Sequence, residues 1–200
     1  GLERNSFNPE GLLISRISNL MTSKTKHQKP YTRDFDSMMR IAILNSLGFF
    51  FLGFVVPIIA RNNMGASGFQ IGLIVSSLTT GFMISSSITG IITDKVRAKT
   101  TLVFIGSLGR GISYFFIYLA IVLNSLFLLW IAWFLLGVGA GVFWIPFDTL
   151  VSEKSDKDSR SHAFGKRDSS NALGQLIGAL SGFGLLMLLG FLNIDNPALL

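Results

Sequence analysis

One ionisable side chain stands alone in the apolar middle of this 200-residue chain: Arg110 is the only charge between Thr100 and Leu129, and none follows between Gly111 and Phe147. A guanidinium in such surroundings needs acceptors, because an uncompensated charge at the centre of a bilayer costs about 3 kcal/mol even on lenient scales. Two chemistries suit it. One is contact with an anionic solute or a coupling group. The other is a structural bond to carbonyls and polar side chains of neighbouring helices. Asn45 and Ser46 in one apolar run, and Asn171 and Gln175 in another, are placed to line a polar cavity. The same residues equally suit interhelical hydrogen bonds worth about 1 kcal/mol each. A second constellation is the turn Gly90–Lys99, GIITDKVRAK, in which Asp94, Lys95, Arg97 and Lys99 fall between two long neutral runs.

The remaining chemistry is sparse, and that narrows the function. There is no Cys, and the two His, His27 and His162, both fall in polar segments. Thiolate sites and a His-based metal site inside the apolar runs are thereby excluded, and no cofactor is implied. The apolar runs hold no acid, His or nucleophile pair of the kind a membrane-embedded enzyme needs. A non-transporting scaffold or subunit remains the alternative to a transporter, since helices rich in small residues suit both. The net charge of +6 would fit nucleic acid, but the bases sit in loops beside apolar runs. Lys and Arg collect there when the loops lie on the inner face of a membrane, so the bilayer is the expected partner and nucleic acid is not.

The elements that must position these residues follow from charge-free length. Half of the residues are hydrophobic and only 14% are charged, well below the quarter or so of a soluble domain. An all-α polytopic membrane protein is expected, with spans near residues 39–60, 69–93, 100–123, 126–150 and 171–192. The 37 uncharged residues from Gly111 to Phe147 would make a single helix about 55 Å long, too long for one bilayer. The run must fold back, and Asn124-Ser125 is its one polar break. Pro57, near the end of the first span, predicts a kink or an early stop there. Trp130, Trp133 and Trp144 read as packing or interfacial anchors, and Asp148 and Glu153 as anchors pairing with the bases of either loop.

Residues 1–38 read as a cytoplasmic tail, in which GLLISRISNLM suits a short amphipathic helix on the membrane surface. Seven Lys/Arg through Arg40, three in the turn after the second span and five between Lys154 and Arg167 oppose Arg61 alone on the other side. The N-terminus is therefore expected in the cytoplasm of a multi-pass protein of the cell membrane. NIDNPALL reads as the lead into a sixth helix, and a chain that opens on Gly and stops there reads as a fragment.

With these elements in place, the charged turn resembles the signature loop between helices 2 and 3 of the major facilitator superfamily. Gly90, Asp94, Lys95 and Lys99 match that loop, while Arg97 and Ala98 depart from it. The order of spans and loops also resembles the N-terminal half of such a transporter, as does the passage from Glu153 through Arg160 and Gly165 into a glycine-rich helix. Arg110 is similar to an Arg in helix 3 of drug and siderophore exporters of the family. The segment LFLLWIAWFLLGVGAG lacks the helix 4 Arg of many members, which argues against proton antiport of that type. The endings GFVVPIIA and GVFWIPFD fit a three-helix inverted repeat.

The resemblance implies a six-helix half bundle, here with five helices and cut before the sixth. It implies secondary transport of a small solute by alternating access, with export one direction known in the family. The partner would be the missing C-terminal half. It also implies that Asp94 sits at a helix–helix joint and helps hold one access state.

Overall fold

The computed structural model describes residues 31–191. Helix α1 spans Phe35–Asn62, α2 Gly68–Lys95, α3 Lys99–Val122, α4 Leu126–Glu153 and α5 Arg160–Phe191, with a single 3₁₀ turn at Lys157–Ser159 before α5. All five helices are long and apolar enough to cross a membrane, and the described residues contain no strand, only one isolated bridge between Tyr31 and Ser155. This is the all-helical half-bundle architecture.

The connections are short because each has its own punctuation. Gly65 takes a left-handed backbone (φ 66°) after α1, a conformation a side chain would oppose. Ser67 then caps α2: its Oγ accepts from the Gln70 N–H at 3.3 Å, and the Gln70 Oε1 accepts from the Ser67 N–H at 2.8 Å. Asn124 is the one non-glycine described residue with positive φ, at 50°, and it turns the chain between α3 and α4. Ser125 follows as the cap, its Oγ accepting from the Leu128 N–H at 3.3 Å.

Two helix starts differ from the charge pattern's indication. The first helix begins at Phe35 rather than 39, because Phe35, Met38, Met39 and Ala42 form a buried stripe with helical spacing that Arg33, Asp34 and Asp36 conceal in the sequence. Tyr31 to Asp34, part of the stretch assigned to the tail, packs with the helices. Tyr31 hydrogen-bonds His162, the Thr32 N–H donates to the Lys154 carbonyl at 3.1 Å, and Asp34 pairs with Lys154. Lys154 and the Thr32 hydroxyl together hold the Asp34 carboxyl down to about 2. The fifth helix begins at Arg160 rather than 171. Ala163 is buried against the end of α4, with Phe164 packed against the same cluster, so α5 projects beyond its apolar part with charges on its outer face. Pro57 does not end α1, which continues to Asn62. The proposed surface helix in residues 1–30 and the lead into a sixth helix lie outside the described residues.

Helix α4 is the centre of the arrangement. Half of its most apolar stretch is buried by other helices, against 22% or less for each of the other four. It carries apolar or small residues on every side, as a helix contacted all round must. Its glycines make that possible. Gly137 and Gly141, one turn apart, face α2, where an added methyl group would overlap the Leu78 carbonyl and the Ser85 hydroxyl. Gly139, on the opposite face, lies against Arg110 of α3. Alternate glycines thus let two helices approach α4 from opposite sides. Helix α1 packs along α5, where Gly174 and Gly178 sit against the Ile43 and Leu47 carbonyls. Backbone approach between the α1–α5 pair and the other three helices is sparse.

Candidate functional site

The gap between these two sets of helices is a cavity of about 320 Å³ with walls from all five. Its lining follows helical spacing. Helix α1 contributes Asn45 and Phe49, with Ser46 and Phe50 beside them; α2 contributes Leu78 and Phe82. Helix α4 gives Ala140, Trp144 and Asp148, and α5 gives Arg167, Asn171 and Gln175, each set four residues apart. Residues four apart lie on one helix face, so each helix turns a single stripe toward the cavity.

Arg110 reaches the cavity from the middle of α3 and is only 3% exposed. Its Nη1 donates to the Asn45 Oδ1, and its Nη2 donates to the Tyr114 hydroxyl at 3.3 Å. The guanidinium carbon lies 5.5 Å from the centre of the Phe49 ring and 5.7 Å from that of Phe143. Aromatic faces at this range attract a cation, more strongly where water is excluded. These contacts offset part of the cost of burying the charge, but none is a negative charge. The Arg110 Nε is buried with no hydrogen-bond partner among the described residues.

A second cation, half-buried, is neutralised. Arg167 meets the Asp148 carboxylate at 2.6 Å, with side-chain exposures of 19% and 32%. Arg167 also meets the exposed Asp168 at 2.6 Å and lies 5.7 Å from both the Trp144 and Phe164 ring centres. Asp148 therefore pairs with a base of the second charged segment, but it does so in the cavity wall. Trp144 is likewise a wall residue beneath Arg167, whereas Trp133 is 4% exposed within the core. Across the α1–α5 seam, the Ser46 hydroxyl donates to the Asn171 Oδ1. Gln175 lines the cavity without a hydrogen bond among the described residues.

The structure thus gathers Arg110, Asn45 and Gln175 around one space and leaves Gly90, Asp94, Lys95 and Lys99 at the helix end outside it. Gly90 has open space where a side chain would stand. Asp94 and Lys95 are exposed, and Asp94 makes no ion pair or hydrogen bond among the described residues. Lys99 pairs with Glu153 across the ends of α3 and α4. Two wall residues, Phe49 and Arg167, escape a reading by residue type, as do Tyr114 and Phe143, which hold Arg110 from outside the wall. The spacing of Arg167, Asn171 and Gln175 would have indicated them on one face, had the helix been extended back across the charged segment.

Membrane-length helices bounding a cavity that holds a few polar groups are an arrangement suited to a membrane transport protein. The family model of the Major Facilitator Superfamily matches residues 38–194, and the chain belongs to that family. No curated protein and no solved structure matches the chain.

Proposed function

We propose that this chain forms one half of a secondary transporter that moves a small solute across the membrane by alternating access. The cavity would be half of the path, and a second helical half, together with a sixth helix, would close it. The observation carrying this reading is the cavity itself, bounded by all five helices and holding buried polar groups among aromatic walls. Polar groups in a membrane bundle are costly unless they serve packing or passage, and Gln175 serves no bond among the described residues. Arg110, Asn45 and Gln175 are the proposed contacts for substrate or a coupling group.

The basic segments and the N-terminus face the cytoplasm in this reading. Export is the favoured direction, on the likeness of Arg110 to the Arg of exporter branches. Asp94, exposed and without a partner among the described residues, is proposed to meet a helix end of the second half and to hold one access state.

Single cysteines test the scheme directly, since the chain has none of its own. In the full-length protein in vesicles, Gln175→Cys should react with an impermeant maleimide from either side, in proportions that a solute gradient shifts. Arg97→Cys and Gly65→Cys should react from opposite sides. Labelling of Gln175→Cys from one side only, whatever the gradient, would make the chain a scaffold rather than a transporter.

A further inference from the structure

We propose that the cavity selects an organic anion: a carboxylate or sulfonate directed to Arg110, carried on a flat apolar body that rests on the aromatic walls. The proposal rests on the reading of this cavity as the transport path and assigns the class of solute.

The charges around the cavity lead to it. The ionisable residues in its wall are Arg110, Arg167 and Asp148. Asp148 belongs to Arg167 at 2.6 Å, and Asp168, the other carboxylate on Arg167, is exposed and outside the wall. That leaves the positive charge of Arg110 unbalanced. Among the described residues its hydrogen-bond partners, Asn45 and Tyr114, are both neutral, and Nε has none although Arg110 is 3% exposed. A carboxylate is the natural complement of a guanidinium with unused N–H groups, because the planar fork can donate to both oxygens. A cationic solute would meet repulsion from Arg110 and from Arg167, which already neutralises the charge of Asp148. A neutral solute would leave the buried charge as it was.

The rest of the wall speaks to the remainder of the molecule. Phe49, Phe50, Phe82 and Trp144 face the same space, and their rings would bury an apolar, preferably planar, body. The space on this half alone, about 320 Å³, is already enough for a small organic molecule. An inorganic anion would use Arg110 and waste these walls.

The experiment is a charge series on full-length protein purified in detergent, at constant ionic strength. Benzoate and benzenesulfonate carry the anion, benzamide is the neutral counterpart, and benzylamine is the cation. Binding is followed by the fluorescence of the tryptophans, with Trp144 in the wall, and by the shift in thermal unfolding. The anions should bind saturably and about tenfold or more tighter than benzamide, the equivalent of one charge-assisted hydrogen bond, with benzylamine weakest. Arg110→Lys should narrow the preference for the anions, and Arg110→Gln should abolish it.

Benzamide or benzylamine binding as tightly as benzoate would overturn the proposal. So would an anion preference left intact in a folded Arg110→Gln protein. If neither variant folds, the wild-type charge series still decides. Displacement of benzoate by phosphatidylglycerol but not by phosphatidylcholine would reassign the anion to a lipid headgroup and overturn the solute form of the proposal. Two-sided labelling of Gln175→Cys with a flat charge series would leave the path standing and remove the anion. One-sided labelling with the anion preference intact would keep the binding site and remove transport.

Discussion

The seams along α4 and the seam between the α1–α5 pair and the remaining helices are built on opposite terms. Along α4, glycines bring backbones together until Gly137 sits under the Leu78 carbonyl and Gly139 against Arg110. There is no room for another methyl group. Along the other seam the backbones stand apart, and the space holds Asn45, Phe49, Phe82, Trp144, Arg110 and Arg167. Within a membrane, close approach gains dispersion and costs no polar desolvation, so the tight seams suit parts that move as one. The wide seam keeps polar groups that only water, solute or a moving neighbour can satisfy. Helices that must stay together are joined by glycine, and the surface that must open is lined by side chains.

Two substitutions, the first with a neutral control, sharpen or break this contrast, the larger expected effect first. Gly137→Ala places a methyl group into the Leu78 carbonyl and should cost about 2 kcal/mol or more. Gly111→Ala, on an exposed face of α3 with open space around it, should be neutral or slightly stabilising. Thermal unfolding in detergent compares them, and equal behaviour would mean that the α4 seams are looser than described. Ser46→Ala removes the hydroxyl bonded to Asn171 in the α1–α5 seam. It should cost about 1 kcal/mol, the usual worth of a hydrogen bond between membrane helices. A loss as large as that of Gly137→Ala would mean that this hydroxyl, and not glycine packing alone, holds α1 to α5.

The smallest expected effect on stability is that of Asp94→Asn. Its carboxylate is exposed and unpaired among the described residues, so folded yield should not change. Uptake by the full-length protein should nonetheless fall, if Asp94 holds one access state against the second half. Unchanged uptake would reduce Asp94 to a solvated member of the charged turn, with an electrostatic worth of about 0 to 1 kcal/mol.

Much of this was legible in the chain, for a local reason. Crossing a bilayer demands a length of uncharged residues, and that length is a property of consecutive positions. The five spans and the turn at Asn124 therefore follow from composition along the chain. The glycines of α4 likewise announce close packing, though not which neighbour each one meets. The same local logic misplaced the start of α5, because a helix can run past the membrane with its charges on an outer face while Ala163 stays buried.

What only the tertiary structure decided is which polar groups share a space. Asn45 lies 65 residues from Arg110, and Ser46 lies 125 residues from Asn171. No periodicity links positions so far apart. Whether they touch depends on how far one helix is turned about its axis relative to another, and one residue's rotation, about 100°, would remove either contact. That rotation is set by the glycine seams, where Gly174 packs against Ser46 and Gly139 against Arg110. The pairing of Asp148 with Arg167, and with it the unbalanced charge of Arg110, is therefore a consequence of packing rather than of spacing.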